Sequence, residues 1–315
     1  MKVVCILPPD PDRDVSAITP EGWDMTVIES VDQLTDDLVD GIEAMITTAH
    51  GVITRETLER LKGIKLVQQL GVGVDSIDIE AARELGIPVA NVSRANNVAV
   101  AEYVIMAVIY VMRRMAYAIE LDQQGIIAAP VLIAKGCHEI REKKLGIVGF
   151  GAIGYEVAVR AKALGMAVLS YDVVEPMPDE QELGVRRVPF DSLIAQSDVV
   201  TLHVPLTEET RNLIGRDELA KMKEGACLIN ASRGGVVDEA ALAESLHSGH
   251  LAGAAVDVTV VEPVTADNPL VKAPNILLTP HIAGVTTDSV NYMVQKSFAN
   301  CFRVFMGEEP VDRIC

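Results

Sequence analysis

The stretch "KLGIVGFGAIG", residues 144–154, decides how the rest of the chain is read. Its apolar half, "LGIVG", has the character of a buried strand, and a helical pattern follows over Ile153–Ala163. Between them Gly149, Gly151 and Gly154 fall in G-x-G-x-x-G spacing. Each glycine then has a physical task. Gly149 permits the tight turn, Gly151 removes a side chain where a pyrophosphate approaches the backbone, and Gly154 lets the helix pack closely on the strand. The helix start offers unpaired N–H groups to phosphate. The next strand, "AVLSYD", ends at Asp172, 18 residues after Gly154. A carboxylate there accepts both ribose hydroxyls and repels a 2′-phosphate, so NAD(H) is expected in preference to NADP(H).

Working outward, "DVVTLH", "ACLIN", "LAGAAVDV" and "NILLTP" continue the series of strands, with helices at Asp191–Ala195, Asp217–Met222 and Glu239–His247 between them. Six strands alternating with helices predict a doubly wound parallel sheet. The N-terminal part repeats the alternation. "KVVCIL", "MTVIE", "EAMITT", "KLVQQL" and "GIPVAN" read as strands, and "VDQLTDDLV", "TRETLERL" and "IDIEAAREL" as helices. The class is therefore α/β with two doubly wound parallel-sheet domains. A long apolar helix after Asn96-Asn97 joins them, an irregular segment follows over 122–141, and a last helical pattern runs from about 287 to 306. That helix can return to the first domain, which makes the first domain discontinuous. The expected division is 1–97 with 285–315, and 98–284.

Composition narrows the partners. With 315 residues, 49% hydrophobic and 23% charged, two ordinary cores can be built. A formal charge of −18 disfavours nucleic acid, which needs a basic surface. The apolar run Val98–Met112 carries Glu102 and falls short of the roughly 20 residues of a membrane span. Cys5, Cys137, Cys227, Cys301 and Cys315 are scattered and odd in number, which argues against a disulfide framework or a zinc site and fits a reducing, cytoplasmic compartment. The N-terminus lacks the apolar run of a signal peptide.

Three further segments place polar residues just after candidate strands of the second sheet. "LINASRGGVVDEAAL" carries Arg233 and Asp238, "LAGAAVDVTVVEP" carries Asp257 and Glu262, and "LLTPHIAG" carries His281 behind Pro280. In open α/β sheets ligands gather beyond the carboxyl ends of the strands. With "GFGAIG", "LHVPLTEET" (202–210), "LGVGVDSID" (70–78) and "NNVAVAE" (96–102), these segments resemble the D-isomer-specific 2-hydroxyacid dehydrogenases, from about residue 40 to 290.

The resemblance implies a Rossmann nucleotide-binding domain, a flavodoxin-like substrate domain, NAD as cofactor, a small 2-keto or 2-hydroxy acid as substrate, and a homodimer. His281 is implied as acid and base, an imidazole being suited to a proton transfer near neutral pH. Glu262 would favour its protonated form and hold one tautomer. Arg233 offers a planar fork of donors to the substrate carboxylate and carbonyl. Backbone N–H groups at Val72 and Gly73 are implied to grip the carboxylate, Asp257 to contact the nicotinamide carboxamide, and Ala152, Ile153, Val204, Ala231, Ser232 and Gly284 to line the cofactor. No metal is expected. The two domains are expected to close on the substrate.

Other polar residues read as structural. Asp238 suits the N-cap of the next helix. His203 packs near the cofactor, His138 is too isolated for a metal site, and His247 and His250 flank a helix end. The chain departs from the family pattern in two places. The segment "QQGIIAAPVLIAKG" lacks a tryptophan that members often carry, and "TTAHGV" presents His50 where phosphoglycerate enzymes use a basic residue. Arg94 in "NVSRANN" could supply a distal charge or be a solvated loop arginine. The absence of appended regulatory sequence and of this basic residue favours a small acid such as glyoxylate, hydroxypyruvate or pyruvate over phosphoglycerate. Alternative readings are an NADH-sensing, corepressor-like binding protein of the same fold, and phosphoglycerate, phosphite or formate oxidation. Formate enzymes place Gln where Glu262 stands.

Overall fold

The computed structural model describes residues 1–315 apart from 11–13, 50, 62, 176–179 and 181, so His50 lies outside the described residues. The chain divides into two compact units, Met1–Asn96 with Thr286–Cys315, and Asn97–Val285.

The first unit holds five strands: β1 (Lys2–Ile6), β2 (Asp24–Ile28), β3 (Ala44–Thr47), β4 (Leu66–Gln69) and β5 (Val89–Ala90). They pair in the order β2-β1-β3-β4-β5, all parallel, the doubly wound order of flavodoxin-like sheets. Side-chain alternation divides the core into two layers. Met45 and Val67 pack with Leu58, Leu61, Ala81 and Ala82 on one face, whereas Ala44, Ile46 and Leu66 pack with Cys301 on the other. Helix Thr287–Phe305 covers this second face, capped by Thr286, whose hydroxyl accepts from Ser289 N. Between β2 and β3 the expected single helix is broken into a 3-10 turn, Val31–Gln33, and a short helix, Asp36–Val39, because Thr35 adopts an extended conformation and starts the second piece.

The second unit holds β6 (Lys144–Val148), β7 (Ala167–Tyr171), β8 (Arg186–Arg187), β9 (Val199–Leu202), β10 (Cys227–Asn230), β11 (Gly253–Val256) and β12 (Ile276–Leu278). Their order is β12-β11-β10-β9-β6-β7-β8, again all parallel. This is the Rossmann arrangement with one strand beyond the six expected. The addition is β8, two arginines long and too short and polar to read as a strand. Helix Asn97–Met112 packs on helix Ala152–Ala163 through Val100, Val104, Ala107, Val108, Val157, Ala158 and Ala161. That helix is not wholly buried, since Val98, Met106 and Ile109 remain exposed. The segment 122–141 is not wholly irregular, for helix Ala128–Ala134 lies within it and accommodates Pro130 in its first turn, where no intrahelical donor is needed. Leu277 and Leu278 are only partly buried, because β12 is an edge strand. Among the described residues no helix is long and apolar enough to cross a membrane.

Candidate active site

The strands of the second unit end on one rank. Leu278 pairs with Val256, Val256 with Asn230, Asn230 with Leu202, Leu202 with Val148, and Val148 with Tyr171. Past that rank the chain delivers His281, Asp257, Arg233, His203, Gly149 and Asp172 in turn, all at the carboxyl edge of one sheet. The sheet reverses its winding between β6 and β9, which is where open α/β sheets take a ligand.

At that reversal Gly149 has φ +90°, and a Cβ there would lie 2.5 Å from the carbonyl oxygen of His203. A Cβ on Gly154 would lie 2.4 Å from the carbonyl oxygen of Gly149, so helix and turn meet backbone to backbone. Gly151, in contrast, faces open space, with nothing within 4 Å of its ideal Cβ. It begins the twelve-residue helix Ala152–Ala163 with no side-chain cap, which leaves the first-turn N–H groups to an outside acceptor. This cradle fits a dinucleotide pyrophosphate. Val204 borders the same turn, its Cγ1 3.0 Å from the position of a Gly149 Cβ.

Asp172 reaches back to the turn. Its Oδ2 accepts from Phe150 N at 2.6 Å and its Oδ1 from Val174 N at 3.0 Å, leaving one further acceptor position on each oxygen for hydroxyls. Arg187, on the unanticipated strand β8, donates to the carbonyl oxygen of Asp172 at 2.6 Å and also to that of Val174.

The middle of the rank is built around Asn230. Its Oδ1 accepts from Ser232 N at 3.1 Å and from Ser232 Oγ at 2.8 Å, and its Nδ2 donates to the carbonyl oxygen of Arg233 at 3.0 Å. The Arg233 guanidinium donates to the carbonyl oxygen of Ser232 at 2.8 Å. Gly234 then lets this turn touch the next loop, since a Cβ there would lie 2.1 Å from the carbonyl oxygen of Thr259. Asp238 caps helix Glu239–Ser248 as expected, accepting from Ala240 N and Ala241 N. Glu239 fixes the same loop from below, accepting from Val260 N at 2.7 Å and Asn268 Nδ2 at 2.8 Å.

His281 and Glu262 meet directly. Nδ1 of His281 lies 2.8 Å from Oε2 of Glu262, while Oε1 of Glu262 accepts from Thr259 N at 3.2 Å. A carboxylate only accepts, so Nδ1 carries the proton of this bond and Nε2 is the nitrogen left for other chemistry. Both side chains are about one-third exposed.

Asp257 is engaged by the turn that carries His281. It is 2% exposed, and its two oxygens accept from Thr279 Oγ1 at 2.6 Å, Ile282 N at 2.9 Å and Ala283 N at 2.8 Å. Because Thr279 spends its hydroxyl proton on Asp257, its oxygen accepts from the Tyr103 hydroxyl, 2.6 Å away. Burial pushes the Tyr103 phenol up to about 12, so it stays a donor. Tyr103, Thr279, Asn230, Glu239 and Arg187 support the candidate site through these hydrogen bonds and were not expected from the sequence. Asn230 alone left a sign there, a polar residue closing the apolar run "CLIN".

His203 keeps one ring nitrogen, Nε2, 3.0 Å from Thr201 Oγ1, and its buried Nδ1 has no hydrogen-bond partner. Desolvation lowers its pKa from 6.5 to about 3, so the ring is neutral. His247 and His250 bond backbone carbonyl oxygens of Ala243 and Leu219. Among the described residues no group of three or more His, Cys, Asp or Glu side chains could hold a metal ion, and all five cysteines are free thiols.

Residues 105–283 match the family described as D-isomer specific 2-hydroxyacid dehydrogenase, NAD binding domain. The chain is 41% identical over 283 residues to the (S)-sulfolactate dehydrogenase of Chromohalobacter salexigens, covering 89% of this chain and 88% of that one. It is 41% identical over 247 residues to the D-3-phosphoglycerate dehydrogenase of Archaeoglobus fulgidus, covering 78% of this chain but 46% of that longer one. The fold superposes on D-lactate dehydrogenase from Aquifex aeolicus complexed with NAD and lactic acid, with a TM-score of 0.86, 27% identity and coverage of 97% and 96%. The chain belongs to the D-isomer specific 2-hydroxyacid dehydrogenase family. It is thus an NAD-dependent oxidoreductase that acts on CH–OH groups.

Proposed function

We propose that this enzyme interconverts a small 2-keto acid and the corresponding D-2-hydroxy acid, with His281 as the proton donor and acceptor. The observation that carries the reading is the 2.8 Å contact between His281 Nδ1 and Glu262, which occupies Nδ1 and leaves Nε2 for a proton transfer. Gly149, Gly151, Ala152, Ile153, Gly154 and Asp172 would hold NAD(H), with Val204, Ala231, Ser232 and Gly284 bordering it, and the bound cofactor would supply or accept the hydride. His281 Nε2 gives its proton to the carbonyl oxygen in reduction and takes it back in oxidation. Glu262 stabilises the imidazolium and fixes the tautomer. Arg233 binds the substrate carboxylate and polarises the carbonyl. Val72 and Gly73, in the other unit, carry backbone N–H groups suited to a carboxylate.

Asp257 serves mainly to hold the turn bearing His281, whatever contact it makes with the nicotinamide, because three hydrogen bonds already engage its oxygens. The enzyme is a cytoplasmic homodimer on this reading. Val98, Met106, Ile109, Met115, Ile119, Ile126, Ile127 and Ile133 leave apolar surface exposed along and after helix Asn97–Met112, and a partner subunit would cover it. Light scattering at micromolar concentration should give twice the chain mass.

The test is to mix the purified protein with NADH and 2-keto acids and follow the loss of reduced-nicotinamide absorbance. Turnover of a 2-keto acid is expected. Tight NADH binding without turnover of any of them would replace the dehydrogenase reading with that of an NADH-sensing binding protein.

A further inference from the structure

The turn that carries Asp172 gains little from packing. Val173 and Val174, the next two residues, are 88% and 68% exposed, so burial does not fix the chain there. Arg187 does. Its Nη2 donates to the carbonyl oxygen of Asp172 at 2.6 Å and also to that of Val174. Its Nη1 donates to Oε2 of Glu180 at 3.4 Å. Glu180 is 2% exposed, and its Oε1 accepts from the hydroxyl of Ser170, which is fully buried. Ser170 and Arg187 are register partners on β7 and β8, so the two donors reach the carboxylate from one face of the sheet. A carboxylate this deep requires such partners. All of these residues lie within the second unit.

In a sheet of this kind a carboxylate near the end of the second strand suits a ribose 2′-hydroxyl, whereas an arginine nearby suits a 2′-phosphate. This protein brings both together, and their bonds separate their tasks. Arg187 is engaged by two carbonyl oxygens and a buried counter-ion, while each oxygen of Asp172 keeps an acceptor position. We propose that Arg187 and Glu180 are positioning residues for the selection of NAD(H). Arg187 fixes the turn that presents Asp172 to the ribose hydroxyls, and Glu180 keeps the guanidinium on the backbone of that turn, away from a 2′-phosphate. A carboxylate on a loose turn swings away from a phosphate, whereas one clamped at its own carbonyl keeps its place and its repulsion. The proposal rests on the ribose site assigned to Asp172 and adds the groups that make that site selective.

The experiment measures Kd for NADH and for NADPH by fluorescence titration in the unaltered protein, Arg187→Lys, Glu180→Gln and Asp172→Ser. The unaltered protein should bind NADH more tightly by at least about tenfold. Lysine keeps a charge beside Glu180 but has no planar fork to bridge two carbonyl oxygens and a carboxylate. In Arg187→Lys the ratio of the NADPH Kd to the NADH Kd should therefore fall by about tenfold, through weaker NADH binding. Glu180→Gln should lower the same ratio through tighter NADPH binding, because the released guanidinium can meet the 2′-phosphate. An unchanged ratio in Arg187→Lys, or equal weakening of both cofactors, which is what a merely structural role gives, overturns the proposal. So does a preference of the unaltered protein for NADPH, and no gain in NADPH affinity in Glu180→Gln overturns the part assigned to Glu180. If Arg187→Lys fails to fold, the paired change Arg187→Gln with Glu180→Gln, which buries no lone charge, is read by the same ratio with the same expectation. An unchanged ratio in Asp172→Ser would instead remove the ribose site itself.

Discussion

Asp257 holds His281 in place through the backbone. The carbonyl oxygen of Asp257 accepts from His281 N at 2.7 Å, and its carboxylate accepts from the two N–H groups that follow, at Ile282 and Ala283. His281 has φ +55°, a left-handed conformation uncommon for a residue with a side chain. The buried carboxylate thus over-determines a turn that local sequence would not choose.

Asp257→Asn should therefore weaken the protein even without cofactor. The amide would place a donor against a backbone N–H or the Thr279 hydroxyl, at a cost of about 1–3 kcal/mol. Thermal unfolding of the cofactor-free protein should show a lower Tm, and kcat should fall more than tenfold. An unchanged Tm would return Asp257 to a purely cofactor-contacting role.

His281→Ala should lower kcat by about 10²–10⁴-fold, the range of a lost acid–base group. Glu262→Gln should lower it less, since the amide oxygen can still accept from Nδ1. NADH binding, followed by fluorescence titration, should change little in either. Full turnover by His281→Ala would assign the proton to another group.

Asp172→Ser should relax cofactor choice. The substitution removes the charge that repels a 2′-phosphate and also the acceptor for Phe150 N. The ratio of kcat/KM for NADH over NADPH should fall by at least about tenfold, a change of roughly 1.4 kcal/mol. A ratio within twofold of the unaltered enzyme would deny Asp172 that selection.

The neutral, buried His203 predicts a pH dependence of stability. Its folded pKa of about 3 lies below the ordinary 6.5, so between those values the unfolded chain binds a proton that the folded chain refuses. Stability is then fully present above about pH 6.5 and falls as the pH drops towards 3, by about 2 kcal/mol from pH 7 to 5. His203→Gln should flatten this part of the Tm profile. Equal slopes for the two proteins between pH 7 and 5 would show that His203 titrates freely.

Much of this was legible in the sequence because parallel sheets advertise themselves. Runs such as "CLIN" and "LGIVG" are buried on both faces, and glycine spacing marks the turn where a backbone must be approached. The candidate groups could be named from the sequence too, since Arg233, Glu262 and His281 each follow such a run. What stayed hidden depends on contacts between distant segments. Two arginines make strand β8 only because β7 offers them an edge. Tyr103 meets Thr279 across 176 residues, and nothing local to either residue announces the bond. Asp257 could be found but not understood, because its role lies in the N–H groups of a turn 25 residues further on.

The common rank on which the strands of the second unit end has a cost in evolutionary freedom. Each residue of a strand advances the chain by about 3.3 Å and reverses the side it presents. A one-residue insertion within β10 or β12 would carry Arg233 or His281 past its mark while moving each of the strand's side chains to the opposite face of the sheet. Length changes in this half of the molecule should therefore be tolerated at the amino ends of the strands and in the helices behind them. The carboxyl ends behave as a ruler that the hydrophobic core itself keeps calibrated.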